Sequence, residues 1–283
     1  MNCSAPTLAQ ALNQAHTLGL ERIDAQLLLL HAVARPDAGR AWLLAHDTDA
    51  MDEAAHAQFL ALCQRRVAGE PVAYLTGRKE FYGLPLQVDA RVLDPRPDTE
   101  TLVDWALEVV APLAAPRVVD LGTGSGAIAL ALQSQRADAK VLAVDASADA
   151  LAVAQANAQR LGFPVLFQRG DWLQGVDGVF DAIVSNPPYI ASADPHLAAL
   201  THEPLQALAS GADGLEDIRT IVAQAPAHLR PGGWLLLEHG YDQAQAVQAL
   251  LFAQGFTQVQ SRNDLAGIAR CTGGQWPVAQ TVK

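Results

Sequence analysis

Ser185-Asn186-Pro187-Pro188-Tyr189-Ile190 follows the strand-like run Phe180-Asp181-Ala182-Ile183-Val184, so it falls where a buried strand gives way to a loop. Ligands of open α/β sheets collect at that edge. Two consecutive prolines cannot donate to a sheet ladder, so they belong to a stiff turn with fixed φ. The corner presents the Asn186 side-chain oxygen and the Pro187 carbonyl, two hydrogen-bond acceptors, beside the Tyr189 ring. Such a set suits a planar NH2 group, each acceptor taking one hydrogen and aiming the nitrogen lone pair outward.

Three further strand ends carry chemistry. Asp120-Leu121-Gly122-Thr123-Gly124-Ser125-Gly126 is a glycine-rich turn opening a helix, where close ligand approach and exposed helix N–H groups are expected. Its spacing is G-x-G-x-G rather than the dinucleotide fingerprint G-x-G-x-x-G, and no Lys-Ser/Thr pair makes it a phosphate loop. Asp145, about twenty residues on, ends the next strand, where an acid can grip ribose hydroxyls. Asp171-Trp172 follows a third, where an indole can flank an adenine ring. Together these residues describe a nucleoside site.

The elements that hold them alternate. Strands are expected at Val118–Leu121, Val141–Asp145, Val165–Phe167, Phe180–Val184 and Trp234–Glu238, the last after a turn at Pro231-Gly232-Gly233. Helices fall at Ala127–Leu132, Leu151–Leu161, Ile218–Leu229 and Gln243–Leu251. Strands at Phe256–Val259 and Gly267–Cys271 lack a helix between them, so an antiparallel edge hairpin completes an otherwise parallel, doubly wound sheet. Residues 7–68 show instead the three- and four-residue apolar steps of helices, such as Leu8, Leu12, Ala15 and Leu18, with Asp52 as a cap for a later helix. Phe81, Leu84, Leu86 and Val88 with Gly83 and Pro85 indicate a hairpin. Asp98 or Thr99 then opens a helix. The expected organisation is a helical domain over 1–78, a hairpin linker over 79–95 and an α/β domain over 96–283.

The net charge of −11 is spread over both parts, with 8 Lys/Arg against 11 Asp/Glu in residues 1–95 and 11 against 19 beyond. That balance argues against sequence-independent nucleic-acid binding. Cys3, Cys63 and Cys271 lie far apart with no zinc or disulfide spacing, so reduced thiols, no metal and a cytoplasmic location are expected. No apolar run is long enough to cross a bilayer.

With these motifs in their order, the chain resembles the class I S-adenosylmethionine-dependent methyltransferases, and within them the HemK-type protein-(glutamine-N5) methyltransferases that modify translation release factors. The resemblance also covers Pro95-Arg96-Pro97-Asp98-Thr99-Glu100, His202-Glu203-Pro204 and Leu237-Glu238-His239-Gly240. It implies a Rossmann-like sheet with a helical N-terminal recognition domain and S-adenosylmethionine as cofactor. Gly122, Thr123, Gly124, Ser125 and Gly126 would hold its methionine part, Asp145 its ribose and Trp172 its adenine. Asn186 would touch cofactor and substrate, with Pro187, Pro188 and Tyr189 receiving a glutamine amide. The implied partner is a peptide chain release factor, with Arg65, Arg66, Arg78 and Lys79 as candidate contacts. Asp94 departs from the family by replacing an apolar residue, and the tail beyond Arg270 is divergent. His202, Glu203 and His239 are read as structural or channel residues. The alternatives are a nucleic-acid adenine-N6 methyltransferase, since the Asn186 corner suits any exocyclic NH2, a non-catalytic cofactor-binding scaffold and an NAD-dependent oxidoreductase. The tail holds Gly273-Gly274-Gln275, the tripeptide of the implied target, read here as coincidence.

Overall fold

The computed structural model describes residues 5–278; Cys3 lies outside them. Contacts divide the chain into two units, one through Arg78 and one from Lys79.

The first unit is helical: α1 (Leu8–Thr17), α2 (Arg22–Ala32), α3 (Arg40–Ala45), α4 (Glu53–Val67) and α5 (Val72–Thr76). Thr7 and Gln10 close a reciprocal capping box on α1. Asp52 caps α4 as expected, accepting from the N–H groups of Ala54 and Ala55. Leu8, Leu28, Leu29, Phe59 and Leu62 form the core between these helices. Leu18, assigned to the apolar stripe of α1, lies one residue past its end and is exposed.

The hairpin strands β1 (Arg78–Phe81) and β2 (Leu84–Gln87) form a small sheet of their own. Then follow α6 (Glu100–Val110), β3 (Arg117–Leu121), α7 (Ala127–Gln135), β4 (Lys140–Asp145), α8 (Ala148–Leu161), β5 (Leu166–Arg169), β6 (Phe180–Ser185), α9 (Glu216–Gln224), β7 (Leu229–Glu238), α10 (Ala244–Gln254), β8 (Thr257–Asn263) and β9 (Ala269–Gln275). The main sheet has the order β5-β4-β3-β6-β7-β9-β8. It is parallel through β7, and β9 runs antiparallel to both its neighbours. The strand order reverses between β3 and β6, which makes the carboxyl ends of those strands the natural ligand crevice. Val119, Leu121, Ile183, Leu235 and Leu237 are fully buried under helices, as the continuous apolar strands of a doubly wound sheet require.

Three local expectations change. The helix expected at Ile218–Leu229 stops at Gln224 and gives way to a 3-10 turn at Ala225–His228, since Pro226 has no N–H to continue the ladder. The Pro231-Gly232-Gly233 turn becomes a bulge inside β7. There Gly232 has φ of 85° and the register against β6 slips between Phe180 and Ala182.

The largest correction concerns the tail. The strand expected at Gly267–Cys271 runs instead over Ala269–Gln275, so Gly273-Gly274-Gln275 is an interior strand segment. Gly273 and Gly274 face Leu236 and Leu235 of β7, and Gln275 faces Trp234. A Cβ on Gly273 would lie 2.5 Å from Leu236 Cδ2 and 2.9 Å from both the Leu235 carbonyl and the Trp105 ring. Close packing explains these glycines, and this tripeptide is built into the sheet rather than presented as a substrate.

Candidate active site

A cleft of about 240 Å³ opens at the reversal point, room for a small molecule rather than a folded partner. It is lined by Gly122, Gly124, Asp145, Trp172, Asn186 and Pro188 from the anticipated set. The register explains the convergence: Leu121 of β3 pairs with Val144 of β4 on one side and Ser185 of β6 on the other. The residues that follow each strand therefore meet at one edge.

The glycine turn works differently from the expectation of free N–H donors. The N–H groups of Gly122 and Thr123 both go to the Val144 carbonyl, that of Gly124 to the Asp145 carboxylate at 2.9 Å, and that of Gly126 to the Thr123 carbonyl. What the turn supplies is left-handed backbone and space. Gly122, Gly124 and Gly126 have φ of 69°, 55° and 84°. A Cβ on Gly124 would meet no protein atom within 4 Å, leaving its face open to the cleft, whereas one on Gly126 would press on Leu130 and Ala154 where α7 meets α8. Thr123 and Ser125 are buried. Thr123 donates to Asp120 at 2.6 Å, and the Ser125 carbonyl accepts from Asn157. Asn157 also exchanges two hydrogen bonds with the Gln87 backbone, tying the hairpin to the turn.

Asp145 is oriented through both oxygens, accepting from Gly124 and Ser147 N–H groups. Burial nevertheless outweighs these bonds and raises its pKa. Trp172 holds a left-handed φ of 53°, a costly backbone for a bulky residue that persists where surrounding contacts fix it. Its indole N–H donates to Asp217, and its ring lies over Gly122, where a Cβ would approach within 3.3 Å. The neighbouring Asp171 also lines the cleft, as do Arg91, Ser147, Gln206 and Asp217. Of these only Asp171 stands out in the sequence, in the strand-end pair Asp171-Trp172. Asp171 had a usable signal, since it follows a strand end beside Trp172, whereas Gln206 lies on a long loop without regular pattern.

At the Asn186 corner, Asn186 Nδ2 donates to the Thr99 hydroxyl at 3.2 Å. One of its two N–H donors is thereby used, and Oδ1 is the side chain's acceptor. Pro187 is buried and Tyr189 half-buried, and neither lines the cleft as Asn186 and Pro188 do. The Tyr189 phenol donates to Glu238 Oε1 at 3.4 Å, while its carbonyl accepts from Gln243. Burial, followed by the negative charge of Glu238, raises the Tyr189 pKa and keeps the phenol protonated.

Asp94, the departure from the family noted in the sequence, is 6% exposed and joins a partly exposed ion network. Lys79 lies 3.2 Å and Arg96 3.4 Å from its carboxylate, and Arg96 also meets Glu203 at 2.5 Å. Two cations thus compensate the acid, and one of them, Arg96, holds Glu203 beside Pro204, which lines the cleft. His239 is fully buried between the Gly240 carbonyl and the Thr272 hydroxyl, with its pKa lowered by burial. Among the described residues no group of His, Cys, Asp or Glu could hold a metal ion, and no helix is long and apolar enough to cross a membrane.

Residues 7–77 match the family model described as PrmC N-terminal domain, and residues 99–211 match the Methyltransferase small domain. The chain is 49% identical to a release factor glutamine methyltransferase of Burkholderia pseudomallei, over 98% of this chain and all of the relative. It is 51% identical to one from Bordetella pertussis, over 90% and 95% respectively. A methyltransferase structure from Pyrococcus furiosus shares the fold at a TM-score of 0.51 and 17% identity, covering 69% of this chain and 90% of that one.

Proposed function

The chain belongs to the release factor glutamine methyltransferase family, and from that premise we propose that it methylates the glutamine amide of a release factor's Gly-Gly-Gln motif at the Asn186 corner. The observation that carries the assignment is the placement of Asn186, its Nδ2 donating to Thr99, on the cleft that Gly122, Gly124, Asp145 and Trp172 also line. S-adenosylmethionine supplies an electrophilic methyl carried on a sulfonium. The residues fit that cofactor: Gly122 and Gly124 would leave room for its methionine portion, Asp145 would accept from its ribose hydroxyls, and Trp172 would border its adenine.

An amide nitrogen is a poor nucleophile because its lone pair is delocalised into the carbonyl. Asn186 Oδ1 and the Pro187 carbonyl each accept one hydrogen of the substrate NH2, fixing the nitrogen's lone pair toward the donor methyl. The same acceptors stabilise positive charge arriving on nitrogen, the oxyanion-hole logic with signs reversed. Tyr189 packs on the flat amide. The nitrogen becomes acidic as it acquires the methyl and releases its proton afterwards, so no strong general base is needed.

Residues 1–78 serve recognition of the release factor, 79–95 join the parts and 96–283 carry out the transfer in the cytoplasm. A protein substrate rather than direct sequence-specific nucleic-acid binding is supported by the acidic balance. The same preference draws on the intramolecular pairing of Arg65 with Glu70, Arg66 with Asp24, Arg78 with Asp37 and Lys79 with Asp94. Those four cations are less available as partner contacts than the sequence implied. Incubation with labelled cofactor and release factor, tRNA, rRNA and DNA in parallel tests the function. Label is expected on the release factor alone; label on nucleic acid but not on protein overturns it.

A further inference from the structure

The start of the Asn186 corner is fixed from the sheet side. Ser185 Oγ donates to the Leu121 carbonyl at 2.8 Å, and Asn186 Nδ2 donates to the Thr99 hydroxyl at 3.2 Å. The two prolines that follow have a fixed φ but not a fixed ψ. The direction of the Pro187 carbonyl therefore depends also on where the chain is held at Tyr189. There the Tyr189 carbonyl accepts from Gln243 Nε2 at 3.0 Å, and the Ile190 N–H donates to the Leu208 carbonyl at 2.9 Å.

Gln243 occupies the N-cap position of α10 and makes no side-chain cap. Its backbone is anchored all the same. Its N–H donates to the Gly240 carbonyl and its carbonyl accepts from Val247, on a helix whose Val247 and Leu251 are fully buried. Its side-chain amide is used on backbone groups at both ends. Oε1 accepts from the Gly240 N–H at 2.8 Å, while Nε2 donates to the Tyr189 carbonyl and, at 3.4 Å, to the Asp213 carbonyl. A backbone N–H only donates and a carbonyl only accepts, so these partners fix which end of the amide faces the corner. Gly214 shows how closely the segments meet. It has φ of 75°, and a Cβ there would overlap the Tyr189 carbonyl and lie 2.7 Å from Gln243 Nε2. One amide thus ties together the end of the corner, the returning end of the 190–214 segment and the turn between β7 and α10. That segment carries Pro204, Gln206 and Ala207, which line the cleft beside Asn186 and Pro188.

We propose that Gln243 is a positioning residue that fixes the direction of the Pro187 carbonyl, and with it the grip on the substrate NH2, by holding the Tyr189 carbonyl. This deepens the proposed function and rests on its assignment of Asn186 and Pro187 as the acceptor pair. Two acceptors direct a nitrogen lone pair only when both are in place, so a corner released at one end keeps its residues and loses its aim.

The test uses the full chain with S-adenosylmethionine and a release factor, and compares Gln243→Glu and Gln243→Met with Asn186→Ala as reference. Gln243→Glu keeps the shape and the acceptor for the Gly240 N–H but sets an oxygen against two carbonyls. Gln243→Met keeps the length without polar atoms. Both are expected to bind cofactor at the parent's stoichiometry and affinity, with KM for the release factor unchanged and kcat lowered about tenfold. Full cofactor stoichiometry means that the whole population is folded, so the loss then lies in turnover by each site. A kcat near the parent's in either variant overturns the proposal, as does a loss confined to cofactor binding or to KM. Should one variant fail to fold by circular dichroism, the other decides alone. Full turnover by Asn186→Ala overturns the proposed function of the corner. Loss in Asn186→Ala beside normal kcat in the Gln243 variants overturns only the role of Gln243.

Discussion

Asn186 and Asp145 divide the work between transfer and binding, and each makes a separable prediction. Asn186→Ala removes an acceptor needed as charge develops on the substrate nitrogen. Methyl transfer is expected to fall on the order of 10²-fold while cofactor affinity is kept; single-turnover kinetics beside a binding titration check both. Asp145→Ala removes a half-buried carboxylate already oriented by two N–H groups. Cofactor binding is expected to weaken by about tenfold or more, since hydrogen bonds to a charged group are among the stronger ones; unchanged affinity by calorimetry removes its ribose role. Residue types at strand ends made both positions readable from sequence. The bond from Asn186 Nδ2 to Thr99 was not readable, because it joins residues 87 positions apart.

At the scale of elements, β9 departs most from the sequence reading. Gly273 and Gly274 have low strand propensity and looked like tail, but the glycines are what let β9 press against Leu235, Leu236 and Trp105. Gly273→Ala is expected to destabilise the protein by about 1–3 kcal/mol through overpacking, measured by denaturant unfolding. Stability equal to the parent contradicts the packing role of β9. Mass spectrometry after incubation with S-adenosylmethionine should find Gln275 unmethylated. The parallel strands β3, β4 and β6 were legible because strands buried on both faces are written as continuous apolar runs. The end of α9 was not, since its apolar spacing continues past Pro226 while its hydrogen bonding cannot.

For the whole molecule, buried acids set the response to pH. Asp120 has no exposure and an Oδ1 without a partner, and burial raises its pKa from 3.8 to about 7. Over that interval the folded state holds a proton that the unfolded state has lost, so stability falls as pH rises through about 7. Glu238 acts in the same direction, and the lowered pKa of His239 opposes them on the acid side. Asp120→Asn is expected to flatten the decline in melting temperature between about pH 5 and 8, the other groups being common to both proteins; an unchanged slope contradicts the assignment. Two units and a doubly wound sheet were evident from the switch between helical spacing and strand–helix alternation. The ion network of Lys79, Asp94, Arg96 and Glu203 was hidden because its members come from separate segments. Peptide mapping of a release factor incubated with this chain and S-adenosylmethionine should find one added methyl on the glutamine of Gly-Gly-Gln; a methyl on any other residue, with that glutamine unmodified, contradicts the proposed function.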